Sequence, residues 1–171
     1  MTRAESRCTE PFHHTGSVFI NFRNLECQWV DIKKFALPAG VADRTALAML
    51  ISHEQYGDNY AGGEPGDDPQ RHGPYWRDRV DPMTFEPGKP AVEEERIRVW
   101  ATQHGEPSAE IGRLLEDEVY QPFHAADVLY RLTDLGSAAF HDWASVHTEF
   151  HELVVIRRDV GQLVLVVAAD D

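Results

Sequence analysis

The chain has 171 residues, enough to bury one core and too few for two comfortable domains. A hydrophobic fraction of 42% with 26% charged residues is that of a folding chain and excludes the disordered and collagen-like classes. The balance of 16 Lys and Arg against 29 Asp and Glu leaves a net charge of −13, which sets nucleic acid and anionic lipid aside as expected partners in favour of a basic protein.

Met1 to Gly16 reads as a flexible polar arm, broken by Pro11 and lacking the apolar stretch of a signal peptide. The longest apolar run, Leu163 to Ala169, is too short to span a bilayer. Cys8 and Cys27 form no disulfide framework, so a cytoplasmic protein with two free thiols is expected. A single α+β domain over residues 17–171 begins with a strand from Ser17 to Phe22, rich in β-branched and aromatic residues. A weaker strand signal covers Cys27 to Ile32. After the break at Pro38, Ala39 and Gly40, Asp43 is placed to cap a helix running to about Tyr56, with Leu47, Leu50 and Ile51 on one face and Gly57 as its stop.

From Gly57 to Pro90, repeated Gly and Pro predict one long loop region. Loops of that length in a compact domain tend to be functional or disordered, and Tyr56, Tyr60, Tyr75, Trp76 and Phe85 argue for partial packing. The segment between Val41 and Glu95 also holds twelve acids against five bases, more than half of the net charge.

Pro90 opens a helix with Val92, Arg96, Val99, Trp100 and Gln103 along its stripe and Gly105 after its end. Ser108 caps a second, burying Ile111, Leu114, Leu115 and Val119. Pro122 is expected to open a third through Phe123, Ala126, Leu129 and Tyr130 towards Gly136. Ser137 is expected to cap a fourth through Phe140, Trp143 and Phe150. The runs LVVIR and LVLVVA flank RDVGQ as an antiparallel hairpin, apolar on both faces. The expected architecture is therefore α+β: an antiparallel sheet of an N-terminal strand and a C-terminal hairpin, around a helical middle. A homodimer is one way to cover the hairpin's second face.

Candidate sites follow from residue type and spacing. His147 and His151, four apart, would share a helical face as two metal ligands can, although Glu149 is misplaced for the HExxH pattern. Asp58, Asn59, Glu64, Asp67 and Asp68 collect oxygen ligands in a Gly-rich loop without the spacing of a helix-loop-helix calcium site. His53, Glu54, Cys27 and His72 are of types used in acid, base or nucleophilic chemistry, but no spacing joins them. Arg71 and Arg77 flank Tyr75 and Trp76, residue types enriched at binding hot spots.

The stretch Ile97-Arg98-Val99-Trp100-Ala101, with Gly105, Gly112-Arg113-Leu114 and Phe123-His124-Ala125-Ala126, resembles the small DNA-binding domain of actinobacterial xenogeneic silencers. Across about thirty residues it implies a helical pair offering an arginine loop to the minor groove. Here Ile111 stands where that loop has its first arginine, leaving Arg113, and Glu116, Asp117 and Glu118 follow. Tyr130-Arg131-Leu132-Thr133 before Gly136 is similar to the strand-to-helix junction of winged-helix repressors. Three functional expectations result. The first is a non-catalytic interaction protein, of inhibitor, immunity or regulatory kind, that engages a basic partner without a cofactor through Asp58, Tyr60, Glu64, Asp67, Asp68, Arg71, Tyr75 and Trp76. The second is a small DNA-binding regulator using helices within 97–136. The third is a small enzyme or metal protein centred on His147 and His151.

Overall fold

The computed structural model describes residues 11–171. Strands β1 (His13–Asn21), β2 (Gln28–Ala36), β5 (Phe85–Gly88), β6 (Val128–Leu132), β7 (Phe150–Arg157) and β8 (Gln162–Asp170) form one antiparallel sheet in the order β1-β2-β8-β7-β6-β5. Strand β1 begins at His13, so the segment from His13 to Gly16 is sheet edge rather than arm, with a bulge between His14 and Gly16. The remaining part of the expected arm, including Cys8, lies outside the described residues.

The expected α+β architecture is present, and its central hairpin is β7–β8, paired from Phe150↔Ala169 to Arg157↔Gln162. Alternate residues of these strands point to opposite faces. On one face Val154, Ile156, Leu163, Leu165 and Val167 pack with Leu47 and Leu50 of helix α1 (Asp43–Ser52). On the other, Leu153, Val155, Val164 and Val166 pack under helices α2 (Pro90–Thr102), α3 (Ala109–Leu115) and α4 (Gln121–Ala125) through Ile97, Trp100, Leu115 and Phe123. Both faces of the hairpin are thus covered by this chain itself, which removes the sequence argument for a second subunit.

Several expectations are corrected. Helix α1 stops at Ser52, and a separate 3₁₀ turn follows from Glu54 to Tyr56, where the His53 side chain accepts from Gln55 N. Asp43 is not its cap but its first residue, with the carboxylate taken by the Tyr130 hydroxyl at 2.8 Å and by Arg158 at 2.6 Å. In α2 the buried positions are Glu93, Ile97, Trp100 and Ala101, while Val92 and Val99 are 50% and 58% exposed. The helix is rotated from the expected stripe because the Glu93 carboxylate is held beneath it by Arg96 and Arg131. Ser108 caps α3 as expected, accepting from Ile111 N, and α3 runs through a π turn, Glu116–Tyr120, into α4.

The expected third helix ends at Ala125. Leu129 and Tyr130 fall in β6, on opposite faces, because packing against both layers overrides helix propensity. The expected fourth helix is two 3₁₀ turns, Ser137–Ala139 and Ala144–Val146. Its backbone is drawn elsewhere: His141 N bonds Pro74 O at 3.1 Å, and Phe140 bridges Tyr75.

The Gly- and Pro-rich region from 57 to 90 is more ordered than expected. It holds the hairpin β3 (Arg71–His72) and β4 (Tyr75–Trp76) and the edge strand β5, where Pro87 is tolerated because only one strand neighbours it. The two-residue turn Gly73-Pro74 has φ +51 at Gly73, and a Cβ there would lie 2.3 Å from the Phe150 ring. Gly73→Ala is expected to lose about 2–4 kcal/mol, the sum of a left-handed non-glycine and an overpacked contact, measurable as a fall in the urea midpoint without a change of slope.

Candidate functional site: an acidic aromatic cleft

Strand β2 places Trp29, Asp31, Lys33 and Phe35 on one face of the sheet by simple alternation. Loop residues from Tyr56 to Tyr60 fold over that face. The Lys33 ammonium, with a side chain only 1% exposed, donates to Gln55 O at 2.8 Å, to Asp58 Oδ2 at 3.1 Å and to the Tyr60 hydroxyl at 3.3 Å, and lies 3.5 Å from Asp31 Oδ2. One buried cation is shared by two carboxylates. The Asp31 carboxyl is pushed above the ordinary aspartate range, chiefly by burial and further by Asp58, with Lys33 pulling the other way.

Register brings Phe19 of β1 directly opposite Asp31. Phe19, Trp29 and Tyr60 form a ladder of rings, with centroids 5.9 Å apart for the first pair and 5.3 Å for the second, near parallel in both. Phe19 is 59% exposed. These residues line an open cleft of about 720 Å³ whose rim is Gly62, Gly63 and Pro65, with Asp171 at one end. Asp171 Oδ1 receives the Trp29 indole N–H at 3.2 Å and lies 3.2 Å from Nδ1 of His147. Chemically, the cleft offers aromatic faces and the carboxylates of Asp31, Asp58 and Asp171 against Lys33 beneath it and the exposed Arg23 on its lining, a balance that suits an incoming cation.

A second polar cluster lies on the same face. The Tyr56 hydroxyl donates to Glu152 Oε2 at 2.8 Å, the His72 ring stacks on Tyr56 at 3.6 Å, and His72 Nε2 meets Glu152 Oε1 while Nδ1 faces Tyr56 O. All three side chains are fully buried. Burial, and after it the Glu152 charge, holds the Tyr56 hydroxyl well above its usual range.

The expected partner-binding residues separate into two groups. Asp58 and Tyr60 belong to the cleft, with Tyr60 held at φ +56 by a bond from its N to Asp58 Oδ1. Glu64 and Asp67 are exposed on the turn beside its rim, where Glu64 N donates to the Asp67 carboxylate. Asp68, by contrast, is bound by Asn59 and Arg71. Arg71 lies between the Trp76 and Trp143 rings and pairs with Asp142, Trp76 also meets His141 edge-on, and Tyr75 is core. Trp29, Asp31 and Lys33 were not among the expected residues, although their alternation in a strand is the signal that could have found them.

The other candidates disperse. His147 and His151 do not share a helix: the His147 side chain bonds Asn59 O at 2.9 Å, while His151 pairs with Glu149 and sits edge-on to Trp100 beyond the opposite face. Among the described residues no group of three or more His, Cys, Asp or Glu side chains converges as metal ligands would. Of the calcium-type oxygens, those of Asp58 and Asp68 are occupied by Lys33 and by Asn59 and Arg71. His53 and Glu54 sit at the 3₁₀ turn after α1, His72 is spent in the buried cluster, and Cys27 is an exposed free thiol at the cleft. Along the helical stretch, Arg98 is tied to Glu94 and Glu116, and Arg113 is exposed. Among the described residues no helix is long and apolar enough to cross a membrane.

Compared with models of known protein families, with curated proteins and with solved structures, the chain matches none.

Proposed function

We propose that this protein is a non-catalytic interaction protein, of inhibitor, immunity or regulatory kind, that engages a basic protein partner through the acidic aromatic cleft. The observation that carries this reading is the sharing of Lys33 by Asp31 and Asp58 beside the Phe19, Trp29 and Tyr60 rings. A lysine or arginine side chain from a partner would add positive charge beside these carboxylates and pack on the rings. The exposed Glu64 and Asp67 next to the rim would add steering at long range.

Asp31 gives the reading a two-sided test. Because its folded carboxyl titrates above the unfolded value, its charged form opposes folding at neutral pH, and Asp31→Asn should stabilise the free protein slightly. The same change removes a carboxylate that a bound cation would use. Tryptophan fluorescence titration with a short arginine-rich peptide, at low and high salt, measures the second effect. The expected result is saturable binding that weakens at high salt and weakens about tenfold in Asp31→Asn, on the order of 1.4 kcal/mol. Equal affinity in both salts, or in both proteins, would overturn the proposal.

A further inference from the structure

Strands β6 and β7 pair only as far as Arg131↔Leu153. Beyond that point Thr133 turns away to Thr84 O, to which its N–H and its hydroxyl donate at 3.0 and 2.9 Å, so Phe150, His151 and Glu152 have no β6 partner. The segment from Asp134 to Thr148 arches over the gap without filling it and leaves a cavity of about 460 Å³. That volume lies within the range of about 300–1,000 Å³ typical of small-molecule pockets.

The two ends of the cavity differ in chemistry. Tyr75, Phe140 and Phe150 form an apolar wall on one side. On the other, Arg96 and Arg131 converge on the single buried carboxylate of Glu93, with Nε–Oε distances of 3.1 and 3.5 Å. Two further acids are largely in solvent, Glu86, 3.6 Å from Arg131, and Asp134, on the lining with its carboxylate taken by Gly136 N, and Glu152 is occupied by Tyr56 and His72. Within the cavity, then, two guanidiniums face one buried acid, the other acids being either in solvent or already bonded. Arg96 engages Glu93 through Nε with its side chain 43% exposed, which leaves its terminal N–H groups available to another carboxylate.

We propose that this cavity binds a small carboxylate with an apolar body, the ring or chain against Phe140 and Phe150 and the acid group on Arg96 and Arg131. The site is separate from the acidic cleft and does not depend on the partner reading.

Backbone amide NMR titration of the intact chain with 3-phenylpropanoate tests it, with 3-phenylpropanamide and inorganic phosphate as comparison ligands. The expected result is saturable shifts at Thr133, Phe150 and His151 with a Kd on the order of a millimolar or tighter, and much weaker responses to both comparison ligands. Arg96→Gln should weaken binding about tenfold. Ser145→Trp, at an exposed wall position that a large side chain would fill, should abolish it while leaving the urea midpoint near that of the parent protein. Absence of saturable shifts, equal affinity for the amide or for phosphate, or undiminished binding in Ser145→Trp would overturn the assignment.

Discussion

Glu152→Leu is expected to lose about 3–5 kcal/mol of stability, whereas Glu152→Gln should stay within about 1 kcal/mol of the parent protein. The reason is a proton count in a fully buried place. Nδ1 of His72 faces the Tyr56 carbonyl and Nε2 faces the Glu152 carboxylate, both of which only accept when the acid is ionised. The pair therefore holds one proton more than a neutral imidazole beside a carboxylate, as imidazolium with carboxylate or as neutral imidazole with carboxylic acid. In either form it is neutral overall and every polar atom is bonded. Leucine leaves the Tyr56 hydroxyl and His72 Nε2 in the core without partners. Glutamine can accept from the Tyr56 hydroxyl and donate to Nε2 of a neutral His72, restoring the count without a charge. Urea denaturation of the two variants checks this, and similar losses in both would refute the bookkeeping. His72→Phe combined with Glu152→Leu should cost less than the two single changes added together, because the second removes a group that the first has already stranded.

Lys33→Met is expected to be comparably severe, about 3–5 kcal/mol at neutral pH, because it removes the cation shared by two largely buried carboxylates. It also strips a donor from Gln55 O and from the Tyr60 hydroxyl. The pH dependence follows from Asp31. Its folded carboxyl is already raised by burial and by Asp58, with Lys33 opposing, so deleting Lys33 raises it further. A raised acid favours folding while protonated: that contribution is complete below the unfolded value and is lost as pH rises through the folded one. The deficit of Lys33→Met should therefore be full at neutral pH and shrink on acidification towards the folded value, read as converging urea midpoints. A deficit constant from neutral to acid would mean that Asp31 and Asp58 are not the groups left uncompensated.

Much of the fold was legible from residue order. The continuous apolar runs of the C-terminal hairpin, the proline that opens α2 and the serine that caps α3 are local signals, and each acts where it stands. What misled was non-local. Val92 and Val99 read as a buried stripe, yet Glu93 takes the inward position because Arg96 and Arg131 meet it there, and Arg131 lies in another element. Leu129 and Tyr130 suit a helix as well as a strand, and only the two layers above and below them decide. The helix expected after Ser137 is displaced by backbone bonds to the β3–β4 turn, more than sixty residues earlier in the chain.

The candidate site was half legible for the same reason. Asp58 and Tyr60 stand out in an acidic, aromatic loop, and the structure sets them in the cleft. Their counterparts Asp31 and Lys33 sit on a strand where a charged pair reads as solvent-facing alternation, until the loop is known to fold over it. Arg71 and Trp76, by contrast, advertise a binding surface and are engaged with Trp143, Asp142 and His141.

The strand order sets a schedule for synthesis. Strand β2 lies between β1 and β8, and its register with β8 joins Gln28 to Asp170 and Ala36 to Gln162. A ribosome therefore releases β1 and β2 long before the strand that completes their sheet exists, leaving Val30, Ile32 and Phe35 on an unfinished edge while the chain between Ala36 and Gln162 is made. Closure entropy over that sequence separation places such a topology among the slower folders, in milliseconds to seconds rather than microseconds, and makes the nascent β1–β2 hairpin the part of the chain most in need of protection from other chains.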